Sequence, residues 1–400
     1  MIPFRHGVRR AAALAAALLL APAAGAAPPT PSGPPYDIDV VLSEAGAAAF
    51  LGQAEEQALR IAETVFNEEG GIHGRPVRFV FHDDQTNPQV ALQVTRQILA
   101  KKPKVILGSI LVASCNAMAP LMRNGPVLYC LSPSIHPQPG SYVFSASVST
   151  THLYAAILTY YRLRGWTRIA VLTSTDATGQ VAENDIRAAM QTPENQGLEI
   201  VASERFNPTD VSADAQIQRM KAAAPQAIIT STSGTPLGTI LRALGNAAWD
   251  VPVVVPESNM LHTQMKQYAG ITPKQLFYAT GDWLLSTDPG VPQAVKDHKN
   301  RMFAAFRRAG IPPDEAAGLA WDPALITVAA LRALPEEASP AQLRAHIAGL
   351  TAFPATLGLY DFPAEPQRGI GVNGVVMARW NAESNDWSVI SHPGGAPLAP

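Results

Sequence analysis

Charge is scarce in this 400-residue chain: 16% of its residues are Asp, Glu, Lys or Arg, and 30 Lys and Arg stand against 32 Asp and Glu for a net charge of −2. Without an excess of positive charge there is no field to hold a phosphate backbone, which excludes nucleic acid as a partner. Cysteine is scarcer still, with only Cys115 and Cys130, too few for a disulfide-built scaffold. Beyond the first thirty residues there is no apolar run long enough to span a bilayer. The sequence also lacks H-E-x-x-H, G-x-S-x-G and a phosphate-cradling G-x-x-x-x-G-K. The usual marks of an enzyme are therefore missing, and no catalytic residue, metal or cofactor is expected. What is present is a 47% hydrophobic composition, enough for a sizeable core at two or three folding units. The 35 prolines sit mostly singly beside apolar runs, where they break elements, and this excludes a long disordered body.

The one long apolar run, Ala11 to Leu20, follows Arg5, His6, Arg9 and Arg10 and precedes Pro22 and Ala23-Ala24-Gly25-Ala26. Residues 1–26 thus read as a secretory signal peptide cleaved after Ala26. A membrane anchor would need about 20 predominantly apolar residues, and this run is short and broken by Pro22. Cleavage removes three arginines and no acids, leaving 27 basic against 32 acidic residues and a net charge of −5. No cysteine follows the run to accept a lipid, so a free periplasmic protein is expected. Residues 27–36 form a Pro-rich leader with no core to join. In an oxidising compartment Cys115 and Cys130 can pair; the alternative is two small buried apolar side chains.

From Tyr36 short β-branched runs alternate with longer amphipathic ones, the pattern of βαβ units on parallel sheets. The first strands are expected at 37–42, 77–82, 105–108 and 127–130, then at 168–172, 200–205, 227–230, 251–255 and 276–279. Helices are expected between them, including 53–67, 88–100, 116–123, 151–164 and 179–190, and a helical stretch follows over 291–350. Two similar halves, opening at Asp37 and Arg168, favour two doubly wound lobes over one (β/α)8 barrel, whose closing units would fall in uninterrupted helix. Short runs at 358–362 and 374–380 look like a returning hairpin on the second lobe.

Several motifs carry a local physical reason. Gly70 and Gly71 can take the left-handed conformation that ends a helix, Asn87 caps the next one, and Pro88 fits its first turn. His73, His82, Asp83 and Asp84 match no metal-ligand spacing and read as turn and edge residues. Hydroxyl-rich loops follow three strand ends: Ser109 to Asn116, Ser132-Pro133-Ser134-Ile135-His136, and Ser231-Thr232-Ser233-Gly234-Thr235. Ligands of open α/β sheets bind beyond carboxyl strand ends, so the repetition points to a polar pocket floor, although each hydroxyl alone is also a good helix cap. Gly369 to Gly374 matches G-x-G-x-x-G but runs into a strand-like segment, with no room left for a dinucleotide fold. Cys115 with His136 or His152 can be written as a nucleophile and base, but a Cys with one potential partner in a secreted chain is more often paired or buried.

Together Asn67-x-x-Gly-Gly-Ile-x-Gly, Asp83-Asp84 with Pro88, Gly108 with Ser114, Ser132-Pro133, Gly165-Trp166 and Asp176-x-x-Gly179-Gln180 resemble the periplasmic solute-binding proteins of the branched-chain amino acid type. The resemblance to these type I, leucine-binding "Venus flytrap" receptors of ABC importers covers nearly the whole chain after residue 26. It implies a monomer of two lobes joined by three crossings, with lobe 1 at 37–148 and 281–356, lobe 2 at 149–280 and 357–391, and a tail at 392–400. It further implies a small organic solute, an amino acid or a related carboxylate or amide, held in the cleft and delivered to permease subunits in the membrane. A sensor that signals to a membrane kinase or regulator is the alternative. Carried over by position, Ser114, Ser132 and Ser134 would receive the ligand carboxylate, with Thr178 and Ser233 facing it from lobe 2. Glu257 would hold the ammonium, or Asn259 if the alignment slides by two. Thr178 stands where many relatives have an aromatic, and Ser134-Ile135-His136 replaces small residues, so His136 and Tyr129 could instead shape a pocket for an aromatic acid, an amide or another small organic anion, although Tyr129 reads more readily as a buried strand residue.

Overall fold

The computed structural model describes Met1, residues 30–286 and residues 288–399. The signal-peptide segment lies outside the described residues apart from Met1. Buried apolar runs, continuous in β3 and β4 and broken in the edge strand β2, build a first parallel sheet from β1 (Tyr36–Leu42), β2 (Val77–Asp83), β3 (Val105–Gly108), β4 (Val127–Cys130) and β5 (Val143–Ser145), in the order β2-β1-β3-β4-β5. Crossover helices α1 (Ala49–Glu68), α2 (Pro88–Ala100) and α3 (Val112–Met118) connect its first four strands. Asn87 accepts from Gln89 N to cap α2, and Gly70 and Gly71 have φ of 95° and 64° at the end of α1. Cys115 in α3 and Cys130 in β4 are disulfide-bonded, with Cα atoms 6.2 Å apart.

After α4 (Thr150–Leu163) the chain repeats the plan. Strands β6 (Arg168–Ser174), β7 (Glu199–Phe206), β8 (Ala227–Ser231), β9 (Val253–Pro256) and β10 (Leu276–Gly281) are parallel, and α5 (Ala177–Met190), α6 (Asp214–Ala222), α7 (Pro236–Asn246) and α8 (His262–Gln267) connect them. The chain then returns to the first sheet with α9 (Gln293–Ala309), α10 (Glu315–Ala333) and α11 (Pro340–Ala348). Helix α10 lies along α1, with Trp321 packed between Phe66 and Phe306.

The last segment departs from expectation in detail. Residues 358–362 do not pair with 374–380: β11 (Phe353–Pro354) and β12 (Leu359–Tyr360) form their own ribbon. The returning hairpin is β13 (Val375–Asn381) with β14 (Asp386–Val389), and β13 runs antiparallel to β10 at the edge of the second sheet. Strand β5 escaped notice because three residues are too few for a readable period. Residues 30–36 of the leader are tied to the turn after α1, where Ser32 N–H donates to Gly74 O and Arg75 donates to the carbonyls of Pro34 and Pro35. The tail also docks, with Gly394 N–H on Val375 O and Leu398 N–H on Ile390 O. Among the described residues no helix is long and apolar enough to cross a membrane.

Each half places a glycine one turn into the helix that follows its first strand. A Cβ on Gly52 would lie 2.1 Å from Ser43 O, and one on Gly179 would lie 1.7 Å from Ser174 O. These contacts set how closely α1 and α5 sit on the ends of β1 and β6, and both are against backbone, which cannot swing away. Gly179→Ala is expected to destabilise the protein by about 1–3 kcal/mol or more through overpacking. Urea denaturation, read as a lowered midpoint at unchanged slope, checks it.

Candidate functional site

The carboxyl ends of both sheets face each other across a cleft. The wall on the side of the first sheet is apolar, made by Leu51 of α1 and Ile110, Leu111 and Val112 at the start of α3, with Ser132-Pro133-Ser134 beyond β4. Opposite stand Thr150, Leu153, Tyr154 and Ile157 of α4, Thr178 and Ala182 of α5, Ser231 at the end of β8 with Ser233 beyond it, and Val255 and Pro256 at the end of β9 with Glu257 and Ser258 beyond them. Binding beyond carboxyl strand ends is what the doubly wound architecture provides.

The hydroxyls are held in place locally. Ser132 Oγ accepts from Ser134 N–H at 3.3 Å, while Ser145 Oγ donates to Ser132 O at 2.7 Å and fixes that loop on β5. Ser233 and Ser258 hydroxyls lie 2.9 Å apart, and the Tyr154 hydroxyl hydrogen-bonds Ser231. Among the described residues no Lys, Arg or His lines the cavity, and the one carboxyl group that does is Glu257, which is 2% exposed. Glu257 Oε2 accepts from Gly281 N–H at 3.2 Å. Burial pushes its carboxyl up to about 7, against the pull of its hydrogen bonds to Glu315 and Gly281 and of the Arg368 charge. Behind it, burial lifts Glu315 well above the carboxylate range, and Thr280 Oγ1 donates to Glu315 Oε2 at 2.5 Å.

Three crossings converge beneath the cleft. Arg368, 6% exposed, donates to the carbonyls of Ala146 and Ser147 in the first crossing and to Ile135 O in the loop after β4. Lys299 of α9 donates to Leu284 O and pairs with Asp282 at 2.9 Å, which ties the second crossing to the first half. Asp322 of α10 accepts from Thr356, Leu357 and Tyr360 and so anchors the third.

Of the residues singled out in the sequence, Ser132, Ser134, Thr178, Ser233 and Glu257 line the cavity. Ser114 does not: α3 begins at Val112, four residues earlier than expected, so Ser114 turns into the helix body, fully buried, and Val112 faces the cleft. His136 stands outside the cavity, 3.4 Å from Asp185, whose carboxylate also accepts from the hydroxyls of Thr150 and Thr151. Asn259 spends its amide on the framework, donating to Thr232 O at 2.8 Å and accepting from Gly234 N–H at 3.2 Å. Tyr129 is a buried strand residue packed on Phe144. His82 is 2.8 Å from Asp39, and Asp84 accepts from Ser43, Thr86 and Ser109, which are edge and turn roles. Among the described residues no group of His, Cys, Asp and Glu could hold a metal ion. Most of the residues unforeseen at the site are apolar, among them Leu51 of α1, Val112 of α3 and Leu153 and Ile157 of α4, and only their helical spacing signalled them; it marks a buried face without saying what covers it.

The architecture recurs in solved structures. An extracellular ligand-binding receptor from Rhodopseudomonas palustris HaA2 superposes with a TM-score of 0.77 at 19% identity, over 89% of this chain and 100% of that one. A branched-chain amino acid transporter substrate-binding protein from Streptococcus pneumoniae, in complex with isoleucine, gives 0.73 at 20% identity over 89% and 99%. A solute-binding protein of an ABC transporter from R. palustris, in complex with benzoate, gives 0.74 at 18% over 92% and 98%. In sequence, the leucine-, isoleucine-, valine-, threonine- and alanine-binding protein of Pseudomonas aeruginosa is 22% identical over 218 residues, 53% of this chain and 57% of that protein's length. The family description "periplasmic binding protein" matches residues 35–385, nearly everything the two sheets contain. The chain therefore belongs to the periplasmic binding protein family and has the fold of its branched-chain amino acid binders.

Proposed function

We propose that this protein is the periplasmic substrate-binding component of an ABC importer and that it captures a small solute with an apolar body and an amine, an amino acid being the class that fits best. The observation that carries the reading is Glu257, a buried carboxyl with no basic side chain beside it in an otherwise uncharged cleft. The isoleucine complex of one structural relative and the benzoate complex of another define two ligand classes that this residue separates. A carboxylate ligand about 4 Å from an ionised Glu257 would meet a repulsion of about 4 kcal/mol at an effective dielectric constant of 20, whereas an amine there gains a charge-assisted hydrogen bond. A ligand carboxylate, where there is one, would be met by the Ser132 and Ser134 loop, with Thr178 and Ser233 closing from the other lobe. Capture then follows from population shift, because only the closed form lets one ligand touch both walls. The importer role rests on the family; the location rests on the family and on the N-terminal segment.

Native mass spectrometry of protein expressed with its leader is expected to show a co-purified small molecule, and stripped protein should rebind members of an aliphatic amino acid panel. Retention of aromatic acids alone would overturn the amine assignment. Glu257→Gln should weaken amino acid binding about 100-fold or more, read by calorimetry. Because the Glu257 charge develops as pH rises through about 7, affinity for an amine should fall about tenfold per pH unit below that point, whereas affinity for a ligand with only a carboxylate should be level below it and fall as pH rises above it. Ser132→Ala should weaken binding severalfold while Ser114→Ala leaves it unchanged, since Ser114 does not line the cavity.

A further inference from the structure

Glu257 and Glu315 meet across the boundary between the two lobes. Glu257 lies in the turn after β9 of the second sheet, and Glu315 opens α10, which packs along α1 of the first. Glu315 N–H also donates to Met260 O at 3.1 Å, which holds the start of α10 against that turn. The outer oxygens are accounted for by neighbouring residues of β10: Thr280 Oγ1 donates to Glu315 Oε2, and Gly281 N–H donates to Glu257 Oε2. The two Oε1 atoms are both buried and neither finds a donor, and the two carboxyl groups, held by adjacent residues of β10, are close enough to shift each other's ionisation. Two carboxylates have no hydrogen to share, whereas a single proton held between them would satisfy both orphaned oxygens.

We propose that Glu257 and Glu315 form a proton-sharing clasp between the lobes, in which Glu315 is a positioning residue that stays a neutral acid and donates to the Glu257 carboxylate, so that full closure requires this proton. The inference deepens the reading of Glu257 as the amine-binding group: a neutral neighbour lets Glu257 carry the one charge of the cleft and fixes its aim. Losing the proton would set two negative charges side by side across the lobe boundary, where like charges favour separation.

Among the described residues the surroundings offer no substitute cation. Arg368 acts on Glu257 from a distance, with its guanidinium committed to three carbonyls. Lys299 is paired with Asp282, the residue after Gly281. From α4, Tyr154 presents a neutral hydroxyl bonded to Ser231. Next to Glu315, Asp314 feels His262, and Glu55 of α1 is a buried acid that feels Asp314 and Asp84. Burial, then the Glu257 charge, hold Glu315 in its neutral form, while Glu257 ionises first.

The test needs no ligand. In protein stripped of any co-purified solute and labelled with 13C at Glu carboxyls, infrared spectroscopy at pH 7–8 should show a protonated glutamic acid band that is lost in Glu315→Gln. The label removes Asp314 from the spectrum, and Glu55 contributes equally to both proteins. In small-angle X-ray scattering the wild type should expand as pH rises past the second ionisation of the pair. Glu315→Gln should not, because its amide donates to Glu257 at every pH and its carbonyl still accepts from Thr280. Glu315→Ala, which removes the donor, should move the ionisation of Glu257 above that of the wild type. A band unchanged in Glu315→Gln, or an identical pH course of scattering in wild type and variant, would overturn the clasp. Should Glu315→Gln fail to fold, a Glu55→Gln variant with no protonated glutamic acid band at pH 7–8 would overturn it equally. Failure to bind amino acids would instead overturn the ligand reading and leave these results standing.

Discussion

The cleft exists because a positive charge is buried under it. Arg368 sits where the third crossing meets the first, and the free energy of taking a guanidinium out of water, several kcal/mol, is offset by three backbone carbonyls and not by a carboxylate in contact. Burial draws its basicity down to about 10, still well above neutrality, so the charge persists. Those carbonyls belong to Ile135, Ala146 and Ser147, the last with a positive φ of 56° that turns the chain out of the first sheet. Gln367 beside it bonds Gly140, Ser141 and Val143 and accepts from Ser145 N–H through its own carbonyl, so the returning chain laces the open edge of β5. One residue pair on the last crossing thereby fixes where the lobes join, and the loop bearing Ser132 and Ser134 inherits its position from that join.

Above this hinge the electrostatics follow from what is left out. The buried cations near the cleft among the described residues are spoken for: Arg368 by carbonyls and Lys299 by Asp282 and Leu284. An acid in such a place has only protons, hydroxyls, backbone N–H groups or a ligand to turn to. That explains why two buried glutamates can coexist at the lobe boundary and why the chemistry of the cleft narrows to donors. It also assigns different work to similar residues. Asp322 and Asp185 each accept several hydrogen bonds and hold framework, whereas Glu257 is left with capacity facing the cavity.

Much of this was legible in the sequence where the signal is local. Parallel strands β3 and β4, the Asn87 cap and the hydroxyl loops after β4 and β8 follow from short-range pattern, and five of the eight candidate residues line the cavity. The displacement of Ser114 has an equally local cause: Val112-Ala113-Ser114 reads as loop because it lacks a capping side chain, yet α3 starts there without one. His136 and Asn259 differ in kind. Nothing near His136 in sequence announces Asp185, and the amide of Asn259 is consumed by Thr232 and Gly234 across a turn. Arg368, Glu315 and Lys299 were invisible for the same reason, since each acts on partners that only the tertiary fold brings near.

The distribution of polar and apolar side chains explains how one architecture can change ligand without changing shape. The hinge residues act on backbone carbonyls and on each other, so they set the geometry of closure whatever lies in the cleft. The cleft walls are mostly apolar and non-directional, and they accept any solute of suitable bulk. On the proposed reading, discrimination falls on the few groups that are both directional and charged, which here means Glu257 with the neutral Glu315 behind it. A single carboxylate in a low-dielectric cleft can separate an amine from a carboxylate by more than the apolar walls can separate two solutes differing by a methylene, which is worth about 1–3 kcal/mol. Specificity by charge type thus rests on one proton's location, and specificity by size is left to Leu51, Val112, Leu153 and Ile157, residues whose exchange would alter the fit of the cleft while leaving its electrostatics intact.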